Sequence, residues 1–79
     1  METNYIKYPE IGKTYRHYKG GKYEVITLAK HTDNNDTLVI YKSIHFGSVH
    51  ARPLFEWYQN VEQITEQYTQ IVPRFERID

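Results

Sequence analysis

Seventy-nine residues leave room for one small domain, and a chain this short buries only about 60–65% of the surface its unfolded form exposes. With no cysteine there is no disulfide, no thiolate metal site and no cysteine nucleophile. Ten basic residues balance ten acidic ones, so no overall field draws the chain towards nucleic acid or anionic lipid.

Residues 1–11 read as a loosely attached arm, which Tyr5, Ile6, Tyr8 and Ile11 can tuck against the body, and residues 12–79 as a single β domain. The arm carries acidic Glu2 and Glu10 and no apolar run, unlike a secretory leader. No stretch approaches the roughly 18–20 apolar residues of a membrane span, so the expectation is a cytoplasmic domain without a membrane partner. Residues 14–19 alternate and are rich in strand formers, with Tyr15 and His17 on one side and Arg16 and Tyr18 on the other. Gly20-Gly21 then reads as a two-residue hairpin turn, because both glycines accept positive φ.

Residues 22–31 form the next expected strand. Alternation places Tyr23, Val25, Thr27, Ala29 and His31 on one face, and Glu24, Ile26 and Leu28 on the other. The polar cluster from Thr32 to Asp36 is a turn by composition. A third strand spans 37–44, and its run Leu38-Val39-Ile40-Tyr41 is apolar on both faces, as in a strand covered on two sides. Gly47-Ser48 marks a turn and 49–52 a short fourth strand. Pro53 opens a helical turn, with Leu54, Trp57 and Tyr58 as its apolar stripe. Residues 60–70 fit either a helix or solvated loop rich in Glu and Gln, or an irregular hairpin anchored by Val61 and Ile64. Residues 71–78 close the chain as a last strand, where Pro73 points to an edge or a bulge.

The expected fold is therefore mostly β: a small, strongly curved antiparallel sheet or an SH3-like barrel of about five strands with one short helix. Eight tyrosines, three phenylalanines and one tryptophan suit the tight core and half-buried strand surfaces of such a fold. The sharper reading of the same residues is an aromatic platform for bases, sugars or a peptide.

The run Gly12-Lys13-Thr14-Tyr15-Arg16-His17-Tyr18-Lys19-Gly20, followed by Tyr23-Glu24-Val25 and Ala29-Lys30-His31-Thr32, resembles the opening of the bacterial family known as DUF1653. Val39-Ile40-Tyr41, Arg52-Pro53-Leu54 and Pro73-Arg74-Phe75 match its later blocks in order, so the likeness covers nearly the whole chain. Two departures stand out. His50 and Ala51 occupy positions where the family usually has tryptophan and valine, and Glu66-Gln67-Tyr68-Thr69 replaces a glycine-centred turn. The resemblance implies a small β-rich domain and, because the family's function is unassigned, no activity.

Motifs that carry chemistry are sparse. His31, Asp33 and Asp36 offer nitrogen and oxygen ligands, but their spacing matches no standard metal site, and turn chemistry accounts for the acidic residues. Ser43 and Ser48 lie in no nucleophile elbow, and no phosphate-binding glycine loop is present. No catalytic residue, metal or cofactor is expected. The informative set is Arg16, Arg52 and Arg74, each beside an aromatic or a proline. Arginine's planar fork binds carboxylate or phosphate through two donors and stacks on rings. Brought onto one face with Tyr18 and either His17 or His31, the three would form an anion pocket. The plainer account pairs them with Glu24, Glu56 or Glu76 and lets their stems cover apolar rings.

Three functions follow. A non-catalytic binding module would recognise a nucleotide, a nucleic acid or a peptide through Arg16, His17, Tyr18, His31, Arg52 and Arg74. A small enzyme on a phosphorylated or nucleotide-like substrate would use His17 or His31 as general base. A homodimeric structural subunit would pack through Leu54-Trp57-Tyr58 or Tyr5-Tyr8.

Overall fold

The computed structural model describes residues 7–79. The elements in chain order are β1 (Thr14–His17), β2 (Lys22–Lys30), β3 (Thr37–Ser43), β4 (Val49–Pro53), α1 (Leu54–Trp57), β5 (Asn60–Ile64), β6 (Thr69–Pro73) and β7 (Phe75–Arg77). Five strands pair antiparallel in the order β4-β3-β2-β1-β7, while β5 and β6 form a separate hairpin. The fold is mostly β, as expected. β4 and β7 remain the two edges of an open sheet, so it does not close on itself as a barrel. Among the described residues no helix is long and apolar enough to cross a membrane.

One face of the sheet carries the core. Tyr15 of β1, Val25 of β2, Val39 and Tyr41 of β3 and Phe75 of β7 are buried there, and α1 inserts Trp57 against them. The Trp57 ring lies flat on Phe75, with centroids 3.8 Å apart and planes 6° apart. It meets Tyr15 and Tyr41 edge-on at 5.3 and 5.2 Å. Each such pair contributes about 0.5–1.5 kcal/mol beyond the area it buries, which matters in a domain with few aliphatic core residues. The Trp57 indole nitrogen is buried without a hydrogen-bond partner among the described residues, so the side chain is held by packing.

Several local expectations change. Val25 pairs with Tyr41 but Thr27 pairs with Ile40, so Ile26 is an extra residue, a β-bulge. Beyond it the faces exchange: Leu28, rather than Thr27 or Ala29, packs against the core. The turn after β1 is centred on Tyr18-Lys19 instead of Gly20-Gly21. His17 N–H donates to the Gly21 carbonyl at 3.1 Å and Gly20 N–H to the His17 carbonyl at 2.8 Å. Both glycines still have positive φ, at 99° and 86°, because they close the loop back onto the ladder.

Residues 60–70 are the first part of a hairpin, with Asn60 opposite Pro73 and Ile64 opposite Thr69. The expected last strand divides at Arg74 into β6, which belongs to that hairpin, and β7, which joins the main sheet. Pro53 ends β4 and caps α1 rather than forming its first residue. The stripe of Leu54, Trp57 and Tyr58 packs on the core, with Trp57 fully buried and the other two partly so, while Phe55 of α1 is exposed. Of the other proposed contact, Tyr8 is half exposed and Tyr5 lies outside the described residues.

Candidate cationic site beside Phe75

β1 and β7 set His17 directly opposite Phe75, and strand alternation turns both side chains to the core face. The two rings meet edge-on at 5.0 Å. On β4, Arg52 pairs with Val39 and His50 with Tyr41, so these two side chains share that face as well. The Arg52 guanidinium carbon lies 5.8 Å from the Phe75 ring centroid. Arg52 Nε donates to the Tyr41 hydroxyl at 3.2 Å, and Nη1 meets the Glu56 carboxylate at 3.3 Å. Arg74, at the junction of β6 and β7, donates from Nε to the Glu56 carbonyl at 3.0 Å and from Nη2 to Gln59 Oε1 at 3.1 Å. Its own carbonyl accepts the Tyr18 N–H at 3.0 Å, which ties the β1–β2 turn to the same corner.

Burial and charge act together on His17. Its pKa is lowered from the ordinary 6.5, first by burial and then by the positive charges of Arg52, Arg74 and Lys19. The ring is therefore neutral at pH 7. Its Nδ1 accepts the Lys19 N–H at 3.2 Å, which leaves the proton on Nε2. Among the described residues one carboxylate, that of Glu56, stands against Arg52, and Arg74 is bonded to neutral oxygens. Among the described residues the cluster carries surplus positive charge, and Arg52 Nη2, Arg74 Nη1 and His17 Nε2 are donors without a partner.

Aromatic surface adjoins the cluster. Tyr23 meets Tyr41, Phe75 and His17 edge-on at 5.4, 6.0 and 6.5 Å. His50 stacks on Tyr41 at 5.4 Å, is exposed, and shares a hydrogen bond of 2.9 Å with the Ser48 hydroxyl. On the other side of His17 a cleft of about 380 Å³ separates the end of β1 from the β5–β6 hairpin, lined by Arg16, His17, Tyr18, Gln63, Val72 and Pro73 among others. Gln63 Nε2 bridges it to the Tyr18 carbonyl at 3.2 Å.

The six candidates divide. His17, Arg52 and Arg74 gather around Phe75, and Tyr18 stacks obliquely against His17 at 4.7 Å. Arg16 does not join them: it points to the opposite face and pairs with Glu76 at 3.5 Å, with both side chains more than half exposed. His31 lies at the far end of β2, where its Nδ1 accepts the Asp33 N–H at 3.1 Å and so shapes the turn. Sequence reasoning missed Tyr23, Tyr41 and Phe75 as walls of the site, although alternation along their strands carried the signal. The plainer pairing expected for the arginines is seen for two of them, Arg16 with Glu76 and Arg52 with Glu56 at i,i+4 spacing.

No curated protein matches the chain. A crystal structure of a DUF1653 protein from Bordetella bronchiseptica is similar, with 28% identity, 85% of each chain covered and a TM-score of 0.68. The family model described as a protein of unknown function (DUF1653) matches residues 13–77, and the chain belongs to that family.

Proposed function

We propose that this protein is a non-catalytic binding module that seats an anionic group between Arg52, Arg74 and His17. The observation that supports the reading is that Arg52 and Arg74 both close on Glu56, whose one carboxylate faces Arg52 while Arg74 meets neutral oxygens; their charges add to burial in lowering the His17 pKa. An anion placed there meets two guanidinium edges and a neutral imidazole N–H, all donors. The neighbouring rings of Tyr23 and His50 supply flat surface for the rest of the ligand. Nucleotide, nucleic acid and peptide all present such a group.

The alternative is general-base catalysis by His17 or His31. Both rings spend Nδ1 on a main-chain N–H two residues on, at 3.2 and 3.1 Å, so a neutral ring keeps its proton on Nε2 and has no free lone pair to accept another. That arrangement favours binding.

Amide NMR titration of the labelled protein with inorganic phosphate, a nucleotide mixture and short single-stranded oligonucleotides tests the proposal. Saturable shifts at His17, Arg52 and Arg74 are expected, with an affinity that falls as salt rises. Silence at these residues for every addition overturns it.

A further inference from the structure

β4 is an edge strand whose outer side has no partner among the described residues. The antiparallel ladder fixes which of its groups are free. Ser43 N–H donates to the Ser48 carbonyl at 2.8 Å, and bonded and non-bonded pairs alternate along such a ladder, so the bonds to β3 run through His50 and Arg52. The N–H and carbonyl of Val49 and Ala51, and the carbonyl of Pro53, point away from the sheet. The side chains alternate in step with this. His50 and Arg52 stand on the core face, while exposed Val49 and Ala51 stand on the other.

We infer that β4 takes up an extended peptide as an added strand, with acidic side chains on the core face opposite His50 and Arg52 and apolar side chains on the far face beside Val49 and Ala51. The inference rests on the anion-binding reading and names the carrier of the anion: a carboxylate on an alternating acidic and apolar strand. The main-chain groups of Val49 and Ala51 supply the pairing, Arg52 supplies the sign of the partner's charge, and His50 offers a ring hydrogen-bonding group on the same face. A second copy of β4 is disfavoured by the same residues. Pairing antiparallel about Ala51 sets Arg52 of one copy opposite His50 of the other, so both arginines share one face with no carboxylate of the added strand to meet them. Pro53, which has no N–H, would also leave a carbonyl of each copy unpaired.

The test uses the full chain and three capped five-residue peptides: alternating Val and Glu, the same peptide N-methylated at its central Val, and alternating Val and Lys. The Val/Glu peptide is expected to shift the Val49 and Ala51 amides and slow their hydrogen exchange. N-methylation, which removes one main-chain donor and obstructs pairing, is expected to weaken binding about tenfold or more. The Val/Lys peptide is expected to leave the spectrum unchanged. Equal binding of the methylated peptide, or binding of the Lys peptide, overturns the added strand. Shifts at His17 and Arg74 with phosphate but none with any peptide also overturn it, while leaving the anion site standing. Silence with phosphate and peptide alike removes both. Protection of Val49 and Ala51 before any peptide is added, rising with protein concentration, assigns the edge to a second copy and overturns the inference.

Discussion

Arg52 and Arg74 hold the same residue: Arg52 meets the Glu56 carboxylate at 3.3 Å, and Arg74 meets the Glu56 carbonyl at 3.0 Å. Substitution can reach only the first of these contacts. Glu56→Gln removes the counter-charge of Arg52 and leaves the bond from Arg74 in place. A partly exposed i,i+4 pair is worth about 0.3–0.5 kcal/mol, so the variant is expected to lose less than about 1 kcal/mol in urea unfolding. It should bind phosphate more tightly than the parent and lower the His17 pKa further. Unchanged phosphate affinity would count against the cationic corner as the binding site.

The pH dependence follows from His17. Its folded-state pKa lies below the ordinary 6.5, so as the solution acidifies the unfolded chain takes up a proton more readily than the folded one. This group's contribution is fully present above about pH 6.5 and is lost as pH falls through the depressed folded value. Urea midpoints at pH 7.5 and pH 5.5 should therefore differ less in His17→Gln than in the parent. Phosphate binding should raise the His17 pKa, readable from the imidazole proton shifts, because the anion offsets the two arginines.

Trp57 gives a contrast between shape and polarity. Because its indole N–H has no partner among the described residues, Trp57→Phe forfeits packing but no hydrogen bond seen there, at an expected cost of about 1–2 kcal/mol. Trp57→Ala empties the centre of the aromatic cluster and is expected to cost about 3–5 kcal/mol. That approaches the whole stability of a small domain, for which about 5 kcal/mol is ordinary. Thermal unfolding followed by near-ultraviolet circular dichroism separates the two: a cooperative transition in the Phe variant, none in the Ala variant.

The bulge in β2 makes a prediction by deletion. Ile26→Thr, at an exposed position, is expected to change stability by less than about 0.5 kcal/mol. Deleting Ile26 removes the surplus residue and lets Val25-Thr27-Leu28 pair in plain alternation with Tyr41-Ile40-Val39, so Leu28 stays on the core face. Cooperative unfolding in both variants is the expected pair of results, and its loss in the deletion alone would show that the local bend of the bulge is itself needed by the fold.

The fold was legible where one residue type decides one local choice. Alternation gave β1, the glycines and the Thr32 to Asp36 cluster marked loops, and the apolar run gave β3. Reading failed where pairing partners decide. Nothing within Lys22–Lys30 announces that Ile26 is surplus, because the bulge exists only relative to β3. The break at Arg74 arises because Pro73 ends one hairpin while Phe75 is drawn to β1. For the site, alternation correctly put His50 with Arg52 but could not say whether Arg16 faced them. The ladder settles that, since neighbours on one strand face opposite ways and His17 takes the core side.

β2 also has unequal neighbours along its length. β1 pairs only with Lys22, Tyr23 and Glu24, whereas β3 pairs along the strand to Lys30. From Thr27 onward the ladder has one side, and the change falls beside the bulge. Main-chain bonds flanked by a single strand open at lower free energy than those enclosed by two. The distal end of β2, with the turn at Thr32 to Asp36, can therefore fray from β3 and reclose while β3 stays paired to β4. The corner that holds His17, Phe75 and Trp57 stays shut meanwhile, so a ligand there would meet a rigid seat at one end of a strand whose other end breathes.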